Sequence, residues 1–189
     1  MISFNEAFEN TVKYEGGYSN DKYDSGGETY MGISRVYHPN WEGWKLIDEG
    51  RKSNIGLEGY TILLMVKEHY KKEYWNKIKG DQLKDQKIAN KVFDVAVNMG
   101  IRTSIKFLQK GLNLLNRNQK NYQNIKVDGI IGDKTLQALG YYLKNDKNVH
   151  LLKIINILQG KRYIDIVERN RTQQRFIRGW LKRVELCYK

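Results

Sequence analysis

The sequence has a single cysteine and a single proline among 189 residues. Cys187 has no second thiol to pair with, so no internal disulfide supports the fold and no oxidising compartment is required. A cysteine-nucleophile enzyme would also need a histidine in a recognisable setting. Neither His69 nor His150 has one, and Cys187 reads as a spare thiol near the chain end. With no Gly/Ser-rich run and no fixed-period repeat, composition alone reveals no flexible linker and no domain boundary. Long apolar runs are missing too. No window reaches the ~18 consecutive apolar residues of a membrane span, so no membrane insertion is expected. The start, Met1-Ile2-Ser3-Phe4-Asn5-Glu6, lacks the basic and then apolar order of a secretory signal. Synthesis as a soluble cytoplasmic product is expected, with any target beyond the inner membrane reached by release or export. Finally, no His/Cys cluster suggests zinc, and the Val127-Asp128-Gly129 turn lacks the alternating oxygen ligands and terminal Glu of a calcium loop. No metal and no cofactor is expected.

What is present is an ordinary globular composition, 40% hydrophobic and 12% aromatic. A net charge of +12 points to anionic partners, whether nucleic acid, acidic membrane or cell-wall polymer. The positive charge is densest from Lys161 to Lys189, where a solvated helix face explains much of it. No recognition-helix, finger or RNA-binding motif accompanies that charge, so nucleic acid is not an expected partner.

Ser3-Phe4-Asn5-Glu6 has the form of a capping box. Apolar residues at 4, 7, 8 and 12 then recur at helical spacing, which predicts a helix from about Phe4 to Tyr14, ending at Gly16-Gly17. Glu15 falls at its end. From Gly16 to about His38, glycines and tyrosines alternate with small polar residues, and Ser25-Gly26-Gly27 suits a hairpin turn between short strands. Helical patterns follow over 56–78, 88–99, 104–115, 133–143, 149–169 and 172–186, with Asp133 as an N-cap. The expected fold class is mainly α (α+β), with one small N-terminal β-hairpin element.

Glycosidic bond cleavage needs a carboxylic acid to protonate the leaving oxygen and a second group opposite it. Such an acid must stay protonated near neutral pH, which a partly apolar setting favours. Glu15 between Tyr14 and Tyr18 fits that need. Asp24 and Thr29 could fold back over a cleft across the turn, although spacing alone does not separate this pair from any acidic pair near a turn.

The string Glu15-Gly16-Gly17-Tyr18-Ser19-Asn20-Asp21, followed by Asp24-Ser25-Gly26-Gly27-Glu28-Thr29-Tyr30-Met31-Gly32-Ile33-Ser34, resembles the signature of glycoside hydrolase family 108. These are lysozyme-like muramidases of phages, prophages and secretion-associated loci. The resemblance implies a lysozyme-like fold and hydrolysis of the β-1,4 bond between N-acetylmuramic acid and N-acetylglucosamine. It implies Glu15 as general acid, Asp24 as base or electrostatic stabiliser, and Thr29 as a water-positioning hydroxyl. Tyr18 and Tyr30 are candidate substrate-binding aromatics. Glu28 either faces the cleft or serves as a structural carboxylate of the turn.

Further along, Phe93-Asp94-Val95-Ala96-Val97-Asn98-Met99-Gly100, Val127-Asp128-Gly129-Ile130-Ile131-Gly132-Asp133 and Phe176-Ile177-Arg178-Gly179-Trp180 are similar to the predicted peptidoglycan-binding domain that accompanies this family. The implied organisation is a catalytic region over 1–88 and a helical binding region over 89–189, packed as one body. Asn98 then reaches the cleft or makes a helix-terminal hydrogen bond, while Arg178 and Trp180 suit packing. The implied partner is bacterial peptidoglycan, met as a monomer in the periplasm or outside the cell, through a holin or an export system. A lytic transglycosylase and a non-catalytic wall-binding or secretion-assisting module remain the alternative readings.

Overall fold

A computed structural model describes residues 1–12, 17–20, 27–52 and 59–184. Glu15, Asp24, most of the Ser25-Gly26-Gly27 turn and Cys187 lie outside the described residues. The described residues form eight α-helices and one three-stranded antiparallel sheet, confirming the mainly α class with a small β-element near the N-terminus. The elements are α1 (Phe4–Val12), β1 (Tyr18–Asn20), β2 (Glu28–Tyr30), β3 (Ile33–Ser34), α2 (Gly43–Lys52), α3 (Tyr60–Tyr70), α4 (Gln86–Met99), α5 (Ile101–Leu114), α6 (Asp133–Asn145), α7 (Asn148–Arg169) and α8 (Gln174–Leu181).

Helix α1 begins where the capping signal places it, with Glu6 N–H donating to Ser3 Oγ at 3.3 Å. The reciprocal half of the box is replaced by a tertiary clamp. Ser3 N–H donates to Gln86 Oε1 at 2.6 Å, and Glu6 Oε1 accepts from Asn90 Nδ2 at 2.9 Å. Both partners sit on α4, so the cap that starts α1 also docks it. Helix α4 starts at Asp85, whose side chain accepts from Ile88 N–H, and it buries Ile88, Ala89, Val92, Phe93, Val95 and Ala96. It packs against α1, α5 and α7, and one continuous cluster of buried side chains runs from Ala7 to Ile155.

Helix α2 has no counterpart among the expected elements. Only Trp44 and Ile47 give it a buried apolar stripe, Leu46 is exposed and the rest is charged or glycine, so its apolar period is too sparse to read. Helix α3 continues through a π-helical turn, Lys71–Trp75, which swings Trp75 fully into the core. There Trp75 Nε1 donates to Asp81 Oδ1 at 3.0 Å, and its ring lies against Gly80. A Cβ on Gly80 would fall 2.2 Å from that ring, so only glycine fits. At α6 the cap position belongs to Gly132, and Asp133 is the first helical residue. This corrects the expected Asp133 cap by one position; the Asp133 carboxylate still lies in the first turn, where it complements the helix dipole. The last helix is shorter than the 172–186 pattern suggests: a 3-10 turn, Arg171–Gln173, precedes α8.

Candidate active site

Strand β2 is central in the sheet, with Tyr18 opposite Tyr30, Ser19 opposite Thr29, and Thr29 opposite Ser34. Strand alternation then sorts the side chains. Ser19, Thr29 and Ser34 form a cross-strand row of hydroxyl residues on one face. Tyr18, Glu28, Tyr30 and Ile33 belong to the other. Thr29, half-buried, is thus flanked by hydroxyls on both neighbouring strands. The Tyr18-Ser19-Asn20 and Ile33-Ser34 strings carry that row, but it is readable only once the register is known.

The turn from β2 to β3 is a two-residue hairpin, with Met31 at φ 45° and Gly32 at φ 78°. A methionine in left-handed backbone is uncommon and must be held there. Met31 N–H donates to Gly17 O at 3.1 Å, and Tyr70 Oη donates to Met31 O at 2.8 Å. The first of these bonds sets the chain two residues beyond Glu15 beside the chain two residues beyond Thr29.

On the opposite face, Glu28 is the hub of a charge network. Its oxygens accept from Tyr18 Oη at 2.9 Å, Arg35 Nη1 at 2.9 Å and Arg51 Nη1 at 3.2 Å. Arg35 also forks onto Asp48 of α2, at 2.8 and 2.6 Å. Hydrogen bonds to Asp48 and then Glu28 hold the Arg35 guanidinium further above its already high ordinary pKa. Burial and the Glu28 bond raise the Tyr18 phenol. The network ties all three strands to α2 and places Arg51 over the Tyr18 ring, 5.0 Å from its centre.

The remaining substrate candidates lie apart from one another. Tyr30 is 6% exposed and stacks on Trp41 with ring centres 6.4 Å apart, leaving little surface for a ligand. Asn98, near the C-terminus of α4, accepts from Tyr163 Oη of α7 at 2.6 Å. Trp180 lies in a closed stack between Tyr163 and Phe176, and Arg175 covers Phe176. These ring faces are used in packing. Gln109 is 1% exposed. Its amide bonds Asp128, Ile130, Thr135 and Gly129, fixing the turn that feeds α6.

A groove of about 510 Å³ opens between the His38–Glu42 turn and the outer side of α3. No group of three or more His, Cys, Asp or Glu suited to a metal ion occurs among the described residues. Likewise, no described helix is long and apolar enough to cross a membrane.

Comparison with known proteins places this geometry. Residues 8–100 match the family described as glycosyl hydrolase 108, and residues 103–185 match the predicted peptidoglycan domain. The chain is similar to a solved structure titled "Structure of Brucella abortus SagA", at 26% identity and a TM-score of 0.66, over 96% of this chain and 88% of that one. No curated protein matches the sequence. The chain is a glycosyl hydrolase 108 region, residues 8–100, joined to a predicted peptidoglycan domain, residues 103–185, an organisation that supports a cell-wall hydrolase role.

Proposed function

We propose that this protein is an N-acetylmuramidase, hydrolysing the β-1,4 bond between N-acetylmuramic acid and N-acetylglucosamine in peptidoglycan. Glu15 is the general acid that protonates the leaving oxygen. Asp24 serves as base or electrostatic stabiliser, and Thr29 holds the attacking water. The observation that carries the reading is the Gly17–Met31 backbone bond, which brings the segment following Glu15 alongside the strand bearing Thr29. The row of Ser19, Thr29 and Ser34 supports it by lining that face with groups that bind water and sugar hydroxyls. Tyr18, on the other face of the sheet with its ring under Arg51, braces the strands through Glu28. Glu28 anchors the strands through Arg35 and Arg51. In this reading residues 1–88 and 89–189 act as one monomeric body, which meets the wall after passage through a holin-type pore or an export system.

The test is digestion of purified sacculi by wild type and Glu15→Gln, with mass spectrometry of the products. Wild type should release reducing N-acetylmuramic acid ends. Glu15→Gln should lose about 10²–10⁴-fold in rate, the usual contribution of a positioned acid, with an unchanged unfolding transition. Products ending in 1,6-anhydro sugars would make the enzyme a lytic transglycosylase. Full activity in Glu15→Gln would remove the assignment of the acid.

A further inference from the structure

The groove beside α3 lies at the other end of the Tyr30–Trp41 stack from the sheet, and the mechanism above does not use it. Trp41 forms one wall, stacked on buried Tyr30 and edge-on to Trp44 with ring centres 5.2 Å apart, so the wall is rigid. Its floor holds His38 and His69 in edge-to-face contact at 4.5 Å. Burial, and then the neighbouring His38, lower the His69 pKa to about 4, so this imidazole is neutral at physiological pH and adds no positive charge.

The charges around this floor run against the rest of the molecule. In a chain of net charge +12, three carboxylates, Glu42, Glu68 and Glu73, line one concavity with Lys72. Glu73 is engaged by Lys77 at 2.5 Å. Glu42 and Glu68 make no ion pair among the described residues, and they line the groove from the turn before α2 and from α3. The result is a rigid aromatic wall, a floor in which His69 is neutral, two uncommitted carboxylates and one ammonium. Such a site suits a short, extended zwitterionic peptide that carries an amine on a side chain. A neutral sugar could hydrogen-bond the carboxylates but would leave their charge and that of Lys72 uncompensated, and a polyanion would be repelled.

We propose that this groove binds the stem peptide of peptidoglycan, with the side-chain ammonium of its diamino acid between Glu42 and Glu68 and a peptide carboxylate toward Lys72. The inference rests on the cell-wall reading of the chain and adds a peptide-recognition site to it. Occupancy there makes the enzyme prefer glycan strands that still carry peptides over bare strands.

The experiment titrates the full-length protein with the soluble tetrapeptide L-Ala-γ-D-Glu-L-Lys-D-Ala and with the same peptide acetylated on the lysine amine. Chemical shifts of the indole N–H groups and of the imidazoles report the site. The free-amine peptide should bind, and acetylation should weaken it about three- to tenfold, as should the double variant E42Q/E68Q, the range expected for two solvent-accessible ion pairs. Both glutamates are exposed, so this variant keeps the fold. Absence of binding, or equal binding of both peptides, overturns the proposal. So does tighter binding of a peptide-free chitooligosaccharide that perturbs the same resonances. The two readings fail separately: peptide binding needs no turnover, and cleavage of bare glycan strands should be equal in wild type and E42Q/E68Q.

Discussion

His69 shows how one buried ring couples the folded state to pH. Its folded pKa of about 4 lies below the ordinary 6.5, because burial disfavours the imidazolium and His38 adds to the effect. The unfolded chain therefore binds more protons between those two values, and stability rises with pH across that window. On acidification from about pH 6.5 to 4 the contribution is lost, roughly 1 kcal/mol once solvent screening of a partly open site is allowed for. Urea midpoints measured from pH 7 to 4.5 should fall less steeply in His69→Gln than in wild type. Identical slopes would show that the ring protonates freely in the native state. Arg35 makes a different kind of contribution. It bridges Glu28 and Asp48 as a fork that lysine cannot reproduce. Arg35→Ala should cost about 1 kcal/mol and slow wall lysis by loosening the sheet. Arg35→Lys should recover part of the stability and less of the rate, as paired unfolding and turbidity assays would show. The sequence left Glu28 open between the cleft and a structural carboxylate of the turn, and its side-chain partners were not readable. Arg51 meets Glu28, and Asp48 meets Arg35 beside it, only because α2 folds over the sheet, and α2 left almost no periodic trace in the sequence.

At the scale of elements, legibility followed the strength of the local signal. Helix α4 was visible because six buried residues recur at helical spacing before Gly100, and α7 ends at Arg169 as its pattern requires. The Ser3 cap was also visible. The clamp from Gln86 and Asn90 was not, because hydrogen bonds across more than 80 residues leave no local pattern. The Met31-Gly32 turn was missed for another reason: methionine seldom takes a positive φ, and only the Tyr70 and Gly17 contacts make it tolerable here. Helix α8 extends the same lesson to docking. It is short and has no buried residue of its own, yet just beyond it Arg183 meets Asp94 of α4 at 2.7 Å, with both side chains largely buried. Lys91 Nζ donates to Arg183 O at 2.6 Å beside them. Removing the carboxylate strands buried cations, so Asp94→Ala should cost about 2–4 kcal/mol. Limited proteolysis should then cut the chain after α7 before the rest of the fold opens. Cleavage at the same rate as in wild type would mean that α8 is held by its aromatic stack alone.

Across the whole molecule, charge and core are arranged to different ends. The buried cluster runs without a break from α1 to α7, so the glycosyl hydrolase 108 region and the predicted peptidoglycan domain share one interior. The charge is uneven. Lys161, Arg162, Arg169, Arg171, Arg175, Arg178 and Lys182 are exposed along α7 and α8, while the groove beside α3 is acidic. A basic surface of this kind draws the protein to an anionic wall over distances of about a Debye length, ~10 Å at 0.1 M salt. It does nothing for the bond being cleaved. Raising salt from 50 to 500 mM should therefore weaken binding to intact sacculi about tenfold or more, yet leave the rate on short neutral oligosaccharides nearly unchanged. Charge reversal at Arg175 and Arg178 should reproduce the high-salt behaviour at low salt, because those side chains project from the exposed side of α8 and contribute to no buried pair among the described residues. Equal losses on sacculi and on oligosaccharides would place the salt effect in the catalytic cleft itself, and the C-terminal surface would then have no part in finding the wall.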